Sequence, residues 1–185
     1  MVESPANLSA ADDVALMAAA QAGHREAFAL LIGRHQAKLV NFFRRQGAYD
    51  DAEDLTQETL LRLFRYRHKY RPTAKFTTFL YTLARHAWVD HLRQMQKRER
   101  IAERGAAEQV DRDDRAQDQA RLRLDAQTAL AQLPEKLRSV VVLSLYQGLR
   151  YEDIAAVLAV PVGTVKSRMF LAMNRLRETF EKNKW

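Results

Sequence analysis

Residues 150–176, RYEDIAAVLAVPVGTVKSRMFLAMNRL, decide the reading of this chain. Ile154, Val157 and Leu158 recur at helical spacing and predict a short helix over 151–158. Val165, Met169, Ala172 and Leu176 follow at intervals of four, three and four, which predicts a longer helix over 162–182. Between them lies the tight break AVPV. Pro161 and Gly163 are expected to end one helix and restart the next at a steep angle, since proline lacks an N–H and glycine tolerates unusual backbone angles. Two helices joined by a tight turn, the second basic on its outer face, make a helix-turn-helix, a shape that lays its second helix in the major groove of DNA. Thr164, Ser167, Arg168, Leu171 and Arg175 share the outward face, flanked by Lys166 and Phe170. Hydroxyls and cations near a helix start suit phosphates and base edges, and an apolar side chain there suits a thymine methyl. Residues 162–185 carry six Lys/Arg against two Glu, which favours a DNA-binding helix over an ordinary hairpin with a solvated basic face.

The whole chain points the same way. Its 185 residues suffice for one ordinary domain or two small ones. A net charge of +7 favours a polyanionic partner. There are no cysteines, which excludes disulfides and thiolate metal sites. The opening MVESPANLSA has neither a basic start nor an apolar stretch, so it does not read as a secretory signal. No run approaches the roughly eighteen apolar residues of a membrane span. The expectation is a cytoplasmic protein without membrane insertion.

Apolar spacing is helical nearly throughout, and the fold expected is all-α. With Ser9 and Asp12 as candidate caps, helices are predicted over about 12–21, 24–35 and 37–46, the last closed by Gly47. Another follows the acids at 50–54 and stops before Pro72, and a long one covers 75–96. Residues 98–121 hold only Ile101 and Val110 as large apolar side chains and cannot build a core. The expected organisation is two small helical domains, 10–97 and 122–182, joined by a flexible linker over 98–121. In the second, helices over 122–132 and from Pro134 to Gln147 precede the helix-turn-helix.

The first domain carries two opposed surfaces. Residues 62–100 hold eleven Lys/Arg against Asp90 and Glu99, with Phe64, Tyr66, Tyr70, Phe76, Phe79, Tyr81 and Trp88 interleaved. Cations that track a backbone and rings that stack on unpaired bases suit single-stranded nucleic acid. Phe64, Leu80 and Trp88 are expected in the core instead. Residues 49–58 carry five acids and no base. Asp54, Gln57, Glu58 and Leu61 fall at i, i+3, i+4 and i+7, one face of a helix that suits a basic protein surface. His86, Asp90 and His91 could supply two metal ligands at i, i+4, but a site needs a third or fourth from elsewhere. No phosphate loop, nucleophile elbow or zinc-protease motif is present, so neither an enzyme nor a cofactor is expected.

Taken together, these motifs resemble the bacterial RNA polymerase sigma factors of the compact extracytoplasmic-function (ECF) type. AEDLTQETLLRLFR (52–65) resembles the family's polymerase clamp helix. KFTTFLYTLARHAWVDHLR (75–93) resembles its promoter-melting, minus-10-reading segment. Residues 133–178 resemble its minus-35-reading domain. The resemblance implies that Asp54, Gln57, Glu58 and Leu61 face core RNA polymerase. It implies that Lys75, Phe76, Phe79, Tyr81, Arg85, His86 and Asp90 lie near the melted minus-10 strand. It implies that Thr164, Lys166, Ser167, Arg168, Phe170, Leu171 and Arg175 read duplex promoter DNA at minus 35, with Arg150, Tyr151 and Glu152 beside them. An anti-sigma factor is an implied partner. The chain departs from the family's habit at Phe79, His86 and Leu171, where Trp, Asn and a basic residue are common. Two rival readings remain at this point. One is a free-standing helix-turn-helix regulator acting without core polymerase. The other, more distant, is a helical magnesium-dependent nuclease built on the Asp50–Glu58 carboxylates.

Overall fold

The computed structural model describes residues 8–102 and 119–182, and among them every regular element is helical. Asp12 caps the first helix, α1 (Asp13–Gln21), by accepting the Ala15 N–H at 2.8 Å, which satisfies one of the orphan donors of its first turn. Next comes α2 (Arg25–Gln46), one unbroken helix where two are expected from the sequence. The stripe Leu31, His35, Leu39, Phe42, Phe43 and Gln46 runs buried straight through the supposed break, and no proline interrupts it. Gly47 then closes α2 at φ +108°, its N–H bonded to the Arg44 carbonyl and that of Ala48 to the Phe43 carbonyl.

The acids at 50–54 precede and open α3 (Ala52–Tyr66), which packs Leu55, Thr56, Thr59 and Leu63 inward. A short 3-10 turn, Arg67–Lys69, leads to α4 (Phe76–Ala102). This helix is continuous for 27 residues, about 40 Å at 1.5 Å per residue, and it runs five residues beyond the expected domain end at 97. It buries Phe76, Leu80, Tyr81, Ala84, Ala87 and Trp88 against α1, α2 and α3. Phe64, expected in the core, is instead 48% exposed. It lies about a quarter-turn around α3 from Leu63, edge-on to Phe28 and beneath the Arg67 guanidinium.

The expected linker falls largely on residues 103–118, which lie outside the described residues. The chain resumes as α5 (Gln119–Gln132), then α6 (Glu135–Val141), which starts directly after Pro134. At Val142–Tyr146 the helix widens into a π-type turn, with the Gln147 N–H reaching back to the Val142 carbonyl. Val140, Val141, Val142 and Leu143 are all buried, which a single stripe of a regular helix cannot do. They succeed because this segment is covered on more than one side, by its own domain and by α2. Two more helices finish the fold, α7 (Tyr151–Leu158) and α8 (Val162–Lys182), both as the sequence predicts.

The second domain rests on the first. The buried side chains form one continuous cluster, from Leu16 and Phe42 through Leu80 to Val140, Ile154 and Val165. No single helix among the described residues is long and apolar enough to cross a membrane.

Candidate nucleic-acid interface

Helices α7 and α8 meet at 102° across the break at 159–161. The break is not made as the sequence suggests. Ala159 supplies the left-handed turn, at φ +53°, and Pro161 offers its carbonyl to the Thr164 and Val165 N–H groups. Gly163 lies inside the first turn of α8 and has no positive φ. Ile154 and Val157 of α7 pack with Val165, Met169 and Ala172 of α8, and this fixed core sets the angle.

That core leaves the other side of α8 outward. Lys166, Ser167 and Arg175 are exposed, and Phe170 and Leu171 stand 66% and 52% exposed. Thr164 and Arg168 are half-buried at the edge, and the Ser167 hydroxyl donates to the Thr164 carbonyl at 3.1 Å. Arg150 and Glu152 are exposed at the start of α7, with Tyr151 half-buried between them. The predicted duplex-reading residues therefore lie at the start of α7 and along the outward face of α8, from Thr164 to Arg175. Uncovered large apolar side chains beside Lys and Arg have the makeup of a base-edge contact.

The face predicted for α4 is different. Phe76 is buried against His35 and Tyr70, and Tyr81 is buried with its hydroxyl donating to Gln147 of the second domain. Neither ring is open to a base in this arrangement, because both fill the core. Burial pushes the Tyr81 phenol well up from its ordinary range. Phe79 is half-buried with its ring 5.4 Å from that of Tyr70. Lys75 Nζ lies 2.7 Å from Asp153 Oδ2, and Arg85 Nη1 lies 3.6 Å from Glu135. Burial alone would raise the Asp153 carboxyl, but hydrogen bonds from Lys75 and Thr78 and the Lys75 charge hold it below the ordinary range. Of the predicted set, only His86 is exposed on the shaft of α4.

Asp90 belongs to another group. Arg62 donates from Nε to Glu58 at 2.7 Å and from Nη2 to Asp90 at 2.9 Å, which ties α3 to α4. Burial works against the Arg62 charge, but these two carboxylates outweigh it and hold its pKa up. Asp54, Glu58, Arg62 and Asp90 line a groove between the two helices. Asp54 and Gln57 are exposed on its outer wall, and Leu61, 50% exposed, continues the face with Phe64. Sequence reasoning missed Arg62 as the bridge and Phe64 as part of this surface. The i, i+4 spacing of Glu58 and Arg62 was the available signal. Among the described residues no three acidic or histidine side chains converge on a metal site. His91 stacks on Trp88 and pairs with Asp51 at 3.7 Å.

Two family profiles match the chain: Sigma-70 region 2 over residues 31–99 and Sigma-70, region 4 over residues 123–176. The "ECF RNA polymerase sigma factor SigE" of Mycolicibacterium smegmatis is 36% identical over 161 residues, 83% of this chain. The match covers 61% of that relative's length. The "RNA polymerase sigma-H factor" of Pseudomonas aeruginosa is 31% identical across 95% of both chains. The "ECF RNA polymerase sigma-E factor" of Escherichia coli is 30% identical over 86% of this chain and 90% of its own. Among solved structures, CnrH in complex with the cytosolic domain of CnrY shares the fold. It has a TM-score of 0.72 at 24% identity and covers 93% of this chain and 99% of its own. The sigma factor RpoE, in complex with the anti-sigma factor NepR from Bartonella quintana, superposes with a TM-score of 0.71 at 26% identity, covering 83% and 96%.

Proposed function

The chain belongs to the ECF family of RNA polymerase sigma factors, and from that membership we propose how its two domains share the start of transcription. The family comprises transcription initiation factors rather than enzymes. The acidic and apolar face of α3, with Asp54, Gln57, Glu58 and Leu61, docks on a basic surface of core RNA polymerase. Helix α8 reads the minus-35 duplex with Lys166, Ser167, Phe170 and Leu171, while Arg150 anchors the adjoining backbone. Helix α4 captures the melted minus-10 strand with Lys75, Phe79, Arg85 and His86. Unstacking a base costs a few kcal/mol, offset by stacking and by cations along the strand. We assign 10–97 to the first domain, 122–182 to the second and 98–121 to the tether. With both domains on one polymerase, binding of either promoter element raises the effective concentration of the other contact.

An anti-sigma factor is the regulator we infer, supported by the Bartonella quintana relative captured with one. The cytoplasm, where polymerase and DNA reside, is the site of action that follows. The observation that carries the reading is the ordered pair of sigma regions in one chain, the second presenting an uncovered recognition helix. Size-exclusion chromatography with core polymerase tests the docking face. The wild type is expected to co-elute, and Asp54→Ala/Gln57→Ala/Glu58→Ala to lose most of the complex. Undiminished binding by that variant would move the polymerase contact elsewhere.

A further inference from the structure

Residues 67–75, RHKYRPTAK, lead from α3 into α4 and carry Arg67, Lys69, Arg71 and Lys75 beside His68, with no acid between Glu58 and Asp90. His68, Lys69, Arg71 and Lys75 are exposed. These cations adjoin the strand-facing set proposed for α4, which opens at Lys75. Charge alone does not make a surface for a strand. Like charges on a short connection repel one another, and a loop that is loose before binding must be ordered during it, at a cost in affinity.

Two side chains hold this loop in place. Tyr70 is buried, with its ring 6.1 Å from that of Phe76 and 5.4 Å from that of Phe79, and its hydroxyl donates to the Ala74 carbonyl at 3.1 Å. The other side chain comes from α1. Gln21, the last residue of that helix, donates from its amide nitrogen to the Arg67 carbonyl at 2.8 Å and to the Tyr70 carbonyl at 3.2 Å. Both partners are acceptors, and a primary amide has the two N–H hydrogens that the pair requires. The two carbonyls bracket the 3-10 turn, whose own closing bond runs from the Tyr70 N–H to the Arg67 carbonyl at 3.2 Å. Arg71 Nη1 adds a bond to the His68 carbonyl at 3.1 Å. The backbone of this basic turn is thus clamped from a helix that lies 46 and 49 positions away in sequence.

We propose that Gln21 is a positioning residue for strand capture: from α1 it fixes the backbone over 67–70 and so holds Lys69, Arg71 and Lys75 where a melted strand can run along them. This rests on the strand-capture role proposed above for α4. Gln21 acts through the loop and does not contact the strand. Its contribution is preorganisation, because the loop is ordered when the chain folds and not when the strand arrives. Removing the two amide donors frees the loop and weakens strand affinity, while docking on core polymerase through α3 is untouched.

Gln21→Met keeps the length of the side chain and removes both donors, and Gln21→Lys keeps N–H donors for the carbonyls. Hydrogen exchange of the full chain over residues 66–75, read by mass spectrometry, is the first arm. Gln21→Met is expected to exchange this segment about tenfold faster than the wild type, with α2 and α3 as protected as before. Gln21→Lys is expected to restore the protection. The second arm is binding of a short mixed-sequence single strand by the chain on core polymerase, read by fluorescence anisotropy with core polymerase alone subtracted. Gln21→Met is expected to weaken it about three- to tenfold and to leave core binding unchanged. A loop that exchanges no faster in Gln21→Met overturns the positioning role, as does one that loosens while strand affinity stays at the wild-type value. Loss of protection across α2 as well, not restored by Gln21→Lys, makes Gln21 a residue of the fold alone and overturns it too. Phe79→Ala/His86→Ala tests α4 separately. If that pair weakens strand binding and Gln21→Met does not, only the role of Gln21 falls; if neither does, the strand-capture reading of α4 falls with it.

Discussion

Helices α4 and α8 are both long, basic and rich in apolar side chains, yet they spend those side chains in opposite ways. On α8 the core takes Val165, Met169 and Ala172, and Phe170 and Leu171 stay outside. On α4 the core takes Phe76, Leu80, Tyr81, Ala84 and Trp88, and the cations that remain near its start are engaged by the second domain. The difference fits two tasks. A duplex is read by side chains that are fixed and already exposed, because base edges are open in the major groove. A melted strand has to be captured, and a face for it can stay covered until the strand exists.

The sharpest way to break the comparison is to truncate one phenylalanine on each helix. Phe76→Ala removes a ring that is 2% exposed and is expected to cost about 3–5 kcal/mol of unfolding free energy. Phe170→Ala removes one that is 66% exposed and is expected to change stability by under about 0.5 kcal/mol while weakening binding to minus-35 duplex. Chemical denaturation of both variants checks this, and equal losses would erase the distinction. Next in size is Gly47→Ala. A side chain at φ +108°, pressed toward Arg138, is expected to cost about 1–2 kcal/mol, read as a lower melting temperature. The second domain offers the mirror case. Ala159 holds φ +53° in the turn of the helix-turn-helix, so Ala159→Gly is expected to stabilise by up to about 1 kcal/mol.

The smallest effect is one of pH. Burial lowers the pKa of His35 below 6.5, despite the hydrogen bond to Asp13 that pulls it up. A depressed folded value means that the unfolded chain takes the proton first. Stability is then full above about pH 6.5, falls as pH drops toward the folded value, and levels off below it. All five histidines lie between residues 24 and 91, so this slope belongs to the first domain. Melting temperatures across that window are expected to fall less steeply in His35→Gln than in the wild type.

These contrasts also mark what the sequence could tell. Helices α7 and α8 were legible to the residue, because apolar stripes and a basic face coincide over residues 150–176, although Ala159 and not the Pro161/Gly163 pair makes the turn between them. The all-α class and the two domains followed from spacing and from the apolar gap at 98–121. Local signals failed where tertiary contacts decide. Nothing near residue 36 says whether α2 continues, and it continues because His35 and Leu39 share one buried stripe. Phe64 looks like core by type, yet it sits at the edge of the buried stripe that Leu63 occupies and is half exposed. The burial of Phe76 and Tyr81 depends on His35, Phe42 and Gln147, which are distant in sequence. The pairing of Lys75 with Asp153 spans 78 positions and leaves no local trace.

The central claim is that this chain opens promoters only as part of RNA polymerase. Permanganate reactivity of thymines at the minus-10 element of a cognate promoter tests it directly. The account predicts reactivity with core polymerase and this chain together, and none with either alone. Protection of closed duplex by the chain by itself, with no polymerase-dependent opening, would contradict it and point to a free-standing regulator.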